Sequence, residues 1–132
     1  MPCRYFSPSI RPKASEKHYI CIYVTDSYMI IENLDIVKRL IDEKENGQVE
    51  FKETTGQLER GMETLCAFLN GNGGTVLFGV NDKGKIIGQE VSDKTKRDMA
   101  EAINRLEPVA MVRISYAPLP DSEKKVIIFR VE

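Results

Sequence analysis

A continuous apolar run over residues 75–80, Thr-Val-Leu-Phe-Gly-Val, constrains the fold more than any other feature of the sequence. A strand with one face in water alternates apolar and polar residues, whereas a strand covered on both faces is apolar throughout. The glycine-rich stretch 71–74 before the run allows a tight crossing from a preceding helix. The run therefore predicts a central strand with other elements packed on both faces. A chain of 132 residues has room for one domain around it.

The periodicity of the flanking sequence predicts which elements cover this strand. Three stretches repeat apolar residues at helical spacing and predict helices, over residues 34–41, 58–69 and 92–107. Further strands are expected over residues 48–52, 85–88, 109–117 and 124–131. The order of elements predicts an α+β fold, which is a single domain with a mixed, mostly antiparallel sheet and about three helices packed on it.

The first 28 residues differ from the rest of the chain. Pro2, Pro8 and Pro12, with scattered serines and lysines, argue against a long regular element there. We expect residues 1–28 to form an N-terminal extension that is poorly ordered, and the compact domain to begin near Met29.

The charge balance limits how the chain could bind nucleic acid. It has 19 basic and 20 acidic residues, and a net charge of −1 excludes binding by bulk charge. Such a role must rest on a local patch. Five basic residues after the central strand form the candidate patch: Lys83, Lys85, Lys94, Lys96 and Arg97. A solvated surface is the alternative, because Glu90, Asp93 and Asp98 lie among them.

The cysteine pattern and the hydropathy indicate the cellular setting. Three cysteines, far apart and odd in number, argue against a disulfide framework and favour a reducing, cytoplasmic environment. One histidine and no metal-ligand spacing of cysteines argue against a zinc site. No apolar run approaches the roughly 20 residues of a membrane span, so no membrane association is expected.

Three acidic residues suggest a metal-dependent chemistry. Glu50 and Lys52 share one face of a predicted strand, and an acid-x-Lys strand is a pairing that many metal-dependent nucleases use. Glu45 precedes this strand, and Asp82 follows the central one. If the two strands are neighbours, the three acids can converge at one end of the sheet and offer oxygen ligands to Mg²⁺ or Mn²⁺. The alternative is an ion pair opposite Phe51, with Asp82 an ordinary turn residue.

These residues also carry a family resemblance. The motif Glu45-x4-Glu50-Phe51-Lys52, followed by Leu-Cys-Ala-Phe-Leu-Asn-Gly-Asn-Gly-Gly at 65–74 and Val-Leu-Phe-Gly-Val-Asn-Asp-Lys-Gly-Lys-Ile-Ile-Gly at 76–88, resembles the Alba-like domain of Schlafen and related prokaryotic proteins. Those domains are usually described as DNA-binding or transcriptional-regulator domains. The resemblance runs from about Met29 to the C-terminus.

The resemblance implies an α+β fold that binds nucleic acid. In some Schlafen proteins the domain also cleaves tRNA or rRNA with three carboxylates and a divalent metal, and by motif these fall on Glu45, Glu50 and Asp82. The zinc-site residues of the animal Schlafens have no counterpart here. Prokaryotic relatives continue into a further strand and an ATPase-like region. We therefore expect the domain, residues 29–132, to lack its last strand and a C-terminal ATPase-like region, and a homodimer would present a groove like that of the two-lobed animal nucleases.

Two functions follow as hypotheses. The first is a nucleic-acid-binding module, resembling a transcriptional regulator, that grips the phosphate backbone without a cofactor through Lys52, Lys83, Lys85, Lys94, Lys96 and Arg97. The second is a metal-dependent endoribonuclease acting on structured RNA such as tRNA. In it Glu45, Glu50 and Asp82 would hold Mg²⁺ or Mn²⁺, and Lys52 would steady the scissile phosphate. A degenerate domain kept as an interaction surface is a third reading, and the choice between DNA and RNA stays open.

Overall fold

A computed structural model describes residues 3–5, 30–44, 47–108 and 110–132. The strands are β1 (Arg4–Tyr5), β2 (Val49–Lys52), β3 (Gly74–Phe78), β4 (Leu106–Glu107), β5 (Arg113–Pro118) and β6 (Lys125–Val131). The helices are α1 (Leu34–Asp42), α2 (Leu58–Leu69) and α3 (Asp93–Ile103), with a 3-10 turn over Thr55–Gln57 leading into α2. The predicted α+β class is confirmed.

The main sheet has the strand order β2-β3-β6-β5. Strand β2 runs parallel to β3, with Lys52 opposite Phe78. The pairs β3–β6 and β5–β6 are antiparallel. The sheet is therefore mixed and mostly antiparallel, as predicted, and the two strands that carry the acidic motifs are neighbours.

Strand β3 is buried on both faces, which confirms the interpretation of the apolar run. Val76 and Phe78 point into a core formed with α2 and α3. Leu77, between them, points into a second core that α1 closes from the other side. Side chains alternate along a strand, so three consecutive apolar residues supply both cores. The resulting order of layers is α1, sheet, then α2 with α3.

Side-chain caps fix the starts of the helical segments. Asn33 caps α1, because its Oδ1 accepts a hydrogen bond from the Asp35 N–H at 2.9 Å. Ser92 caps α3, and the Thr95 side chain bonds back to the Ser92 N–H at 3.2 Å. Thr54 instead caps the 3-10 turn, accepting from the Gly56 N–H at 3.0 Å. A capped 3-10 turn therefore precedes α2.

The prediction of a strand over residues 85–88 is wrong. Val80 and Ile86 form a single antiparallel bridge, and no longer ladder follows. Gly79 and Gly88 both have positive φ, at 107° and 69°, which takes the chain out of the extended conformation at each end of the turn. The segment instead folds across the end of the sheet.

The described part of the N-terminal extension is docked on the domain. Strand β1 pairs antiparallel with β4, with Arg4 opposite Glu107 and Tyr5 opposite Leu106. Cys3 and Tyr5 pack against the core under α2. The rest of residues 1–28 lies outside the described residues, so their predicted disorder stays a prediction.

The length and hydropathy of the described helices bear on whether one of them could cross a membrane. None of the helices in the described part of the chain has the length and apolar character that crossing a bilayer requires.

Gly61 in α2 is needed because a side chain at this position would collide with Phe78 in the sheet. A Cβ at this position would lie 2.6 Å from Phe78 Cζ and 3.0 Å from Phe78 Cε1. Phe78 is fully buried and packs edge-on against Phe129, with ring centroids 5.2 Å apart, so it has no room to move.

We therefore predict that Gly61→Ala lowers the free energy of unfolding by about 1–3 kcal/mol through overpacking. Helix propensity alone predicts the opposite, a gain of about 1 kcal/mol. Urea denaturation followed by circular dichroism measures the difference. Glu63→Ala, at an exposed position of the same helix, is the control and should change stability little. A more stable Gly61→Ala variant would contradict the packing described here.

Candidate nucleic-acid interface

One end of the main sheet gathers several loops, and we call it the loop end. Strand β2 ends there at Lys52, opposite Phe78 at the end of β3. Strand β5 also ends there, where Pro118 pairs with Lys125 at the start of β6. The loops that leave these strands are therefore the surface at this end.

Gln89 ties the N-terminal ends of α2 and α3 to the loop end. Its backbone N–H donates to the Lys125 carbonyl at 2.9 Å, and the Lys125 N–H donates back to the Gln89 carbonyl at 2.9 Å. Its side-chain Oε1 accepts from the Thr55 N–H at 2.8 Å, in the turn that opens α2. Helix α3 begins at Asp93, soon after Gln89. The N-terminal ends of α2 and α3 therefore both lie close to Gln89 at the loop end, and the positive end of a helix dipole favours anions.

Lys83 and Lys85 lie exposed on a fixed turn at the loop end. Asn81 Oδ1 accepts from the N–H of Lys83 at 3.0 Å and of Lys85 at 2.9 Å, which holds the backbone of both residues. Within the described residues neither side chain makes an ion pair. Gly84 packs against Ile41, so the turn sits on the α1 side of the sheet.

The other predicted basic residues lie on the opposite side of the same sheet end. Lys94, Lys96 and Arg97 occupy the first two turns of α3, which packs with α2. Lys94 Nζ pairs with Asp98 Oδ2 at 2.8 Å, an exposed ion pair of small energetic weight. Arg97 is exposed and makes no ion pair within the described residues. The structure therefore brings the predicted patch to one end of the sheet but divides it between two faces.

Glu50 and Lys52 form an ion pair on β2, with 3.9 Å between Glu50 Oε1 and Lys52 Nζ. The Lys52 side chain is 14% exposed and that of Glu50 is 40% exposed. Val49 and Phe51 point into the core under α1. By alternation, Glu50 and Lys52 point to the α2 side of the sheet.

Asp82 lies on the turn that packs on the Phe51 side, and it is exposed. The neighbouring strands predicted for the acidic site are therefore present, but Glu50 projects from the face opposite this turn. Glu45 lies outside the described residues. In the described part of the chain no group of three or more His, Cys, Asp or Glu side chains could hold a metal ion.

A recess lies between α2 and α3. It measures about 240 Å³ and is lined by Thr55, Gly56, Leu58, Glu59, Asp98, Glu101 and Arg105. Arg105 is paired with Glu59 at 3.4 Å, and its Nη1 lies 3.4 Å from the Tyr5 hydroxyl. Burial raises the pKa of Tyr5, and its hydrogen bond to Glu59 raises it further, so the phenol stays protonated. This network joins β1 to both helices.

The sequence interpretation did not single out Gln89, Lys124 or Lys125. Gln89 is buried, and no motif around it signals its role, which depends on contacts with residues 34 and 36 positions away. The sequence predicts a strand that begins at Lys124, whereas β6 begins at Lys125, and both lysines lie at the loop end.

These features define a small α+β domain whose loop end combines lysines with helix N-termini. Comparison with protein families matches residues 45–132 to the family described as Schlafen, AlbA_2. The match covers more than half of the chain, and the chain belongs to this family. Membership indicates a function related to nucleic acids. A search of curated proteins finds no match.

Gln89 is the residue whose substitution should destabilise the loop end most directly. We predict that Gln89→Met, which keeps the volume, costs about 1–3 kcal/mol because it removes the acceptor of the Thr55 N–H. Urea denaturation measures the loss, and faster hydrogen exchange at Thr55 locates it. Gln48→Met, at an exposed position, is the control. Unchanged exchange at Thr55 would show that Gln89 does not hold the start of α2.

Proposed function

We propose that the chain is a nucleic-acid-binding module that contacts the phosphate backbone with the loop end of its sheet. One observation carries the proposal, namely that basic side chains and the N-termini of α2 and α3 meet at this end. The contacting residues are those expected from the sequence: Lys52, Lys83, Lys85, Lys94, Lys96 and Arg97.

The chemistry of this surface suits phosphate better than base edges. Lysine ammonium groups neutralise phosphates, and helix N-termini add partial positive charge. Lys83 and Lys85 are presented by a hydrogen-bonded turn, so part of the ordering cost is met before binding. Contacts to phosphates position a protein on nucleic acid and carry no sequence information. Binding should therefore be salt-sensitive and weakly sequence-selective.

We predict that Lys83→Gln and Lys85→Gln each weaken binding to a DNA duplex and flatten its salt dependence. Loss of one phosphate contact should reduce the slope of log K against log salt by about 0.9. Fluorescence anisotropy at several salt concentrations measures both quantities. Arg113→Gln, an exposed basic position at the opposite end of the sheet, is the control and should leave the slope unchanged.

Two results would contradict this proposal. Wild-type affinity that does not change between low and physiological salt would exclude a backbone-gripping mode. An Arg113→Gln slope that falls as much as those of the two lysine variants would indicate diffuse attraction rather than contact at the loop end.

A metal-dependent endoribonuclease is the second candidate. It rests on the parallel pairing of β2 and β3, which brings Glu50 and Asp82 to the same end of the sheet, and it requires the Glu50 and Asp82 side chains, which now lie on opposite faces, to converge. Three carboxylates are a donor set that suits Mg²⁺ or Mn²⁺, and Glu45 would supply the third. The metal would polarise the phosphate or its attacking water. Lys52, now paired with Glu50, would have to release it to steady the scissile phosphate.

This candidate predicts cleavage of labelled tRNA that requires Mn²⁺ and stops in EDTA. Glu50→Gln and Asp82→Asn should each reduce cleavage at least about a hundredfold, if the metal site is lost, while RNA binding is retained. Glu63→Gln, on the exposed face of α2, is the matched control. A shifted but uncut band, equal in all variants, would reject the nuclease and leave the binding module.

A further inference from the structure

Among the described residues, one contact that holds strand β1 on the domain is to the end of α2. The Cys3 N–H donates to Asn70 Oδ1, and Asn70 Nδ2 donates to the Cys3 carbonyl at 3.3 Å. Asn70 therefore binds the backbone of Cys3 as a neighbouring strand would. The β1–β4 ladder beside it contains just two residue pairs.

This anchoring places the side chain of Cys3 beside Cys66. Asn70 lies one helical turn beyond Cys66, on the same side of α2. Cys3 packs against the apolar cluster that contains Cys66, and both cysteines are free. Burial raises the pKa of Cys3 to about 12, with a further contribution from Cys66. The two cysteines thus lie close together in the fold although 63 positions separate them in the sequence.

We propose that Cys3 and Cys66 form a reversible disulfide that fastens β1 to α2. The inference is independent of the proposed function. The oxidant is a small-molecule disulfide such as glutathione disulfide. The pair contributes two electrons and two protons, one S–S bond of the oxidant breaks, and two thiols of glutathione are released.

The exposure of the two cysteines sets the order of the steps. Cys66 is 7% exposed, whereas Cys3 is partly exposed and can be reached first. The Cys3 thiolate attacks the oxidant, which forms a mixed disulfide and releases one glutathione thiolate. The Cys66 thiolate then attacks the Cys3 sulfur and releases the second. Because the thiolate is the nucleophile, the first step should accelerate about tenfold per pH unit between pH 7 and 9.

The full chain is incubated with glutathione disulfide, and its remaining free thiols are then blocked. The protein is digested, and the peptides are analysed by mass spectrometry. We expect a crosslinked pair of peptides containing Cys3 and Cys66. Cys21, which lies outside the described residues, provides the control: Cys21→Ser should retain the crosslink. Cys3→Ser and Cys66→Ala should lose it. A crosslink that involves Cys21, one between two chains, or none after prolonged oxidation would overturn the proposal.

Hydrogen exchange measures the consequence for β1. In the oxidised protein the amides of residues 3–5 should exchange at least about tenfold more slowly than in the reduced protein, because the covalent tether opposes fraying of the two-residue strand. Reduction should restore the faster exchange. Equal exchange in the two states would show that the disulfide does not control the docking of β1.

Discussion

The burial of β3 on both faces governs the arrangement of every other described element. Three consecutive apolar side chains point alternately into two separate cores, so a helical layer must cover each face of the sheet. Helix α1 supplies one layer, and α2 with α3 supplies the other. Gly61 lets α2 approach Phe78 closely, and this contact sets the spacing between helix and sheet. With both faces covered, a ligand can reach the sheet at its ends and its outer strands.

The loop end owes its shape to the same central strand. Strand β3 stops at Phe78, and Gly79 follows with a φ of 107°. A Cβ on Gly79 would lie 3.0 Å from the Cα of Gly88, so the segment closes back on itself at that point. It then continues through Gln89 into α3. The fold thereby places an exposed lysine turn and two helix N-termini at one end, which is a surface suited to an anion.

The elements that depend on residues close together in the sequence could be predicted from it. The three helices and the buried strand β3 follow from the spacing of apolar residues within a few turns. The predicted strand over residues 85–88 failed because the positive φ angles at Gly79 and Gly88 depend on their contact with each other. Pairing of β1 with β4 joins residues about 100 positions apart, and periodicity carries no signal for it. The sequence indicated the basic residues, but their division between two faces of the sheet depends on the topology.

The central claim is that nucleic acid contacts the loop end of the sheet. Titration of ¹⁵N-labelled protein with a DNA duplex at low salt, followed by amide chemical shifts, tests it most directly. The largest changes should fall on residues 79–97 and on the end of β2, and they should diminish as salt is raised. Changes concentrated at the opposite end, around the 70–73 loop and Arg113, would contradict it.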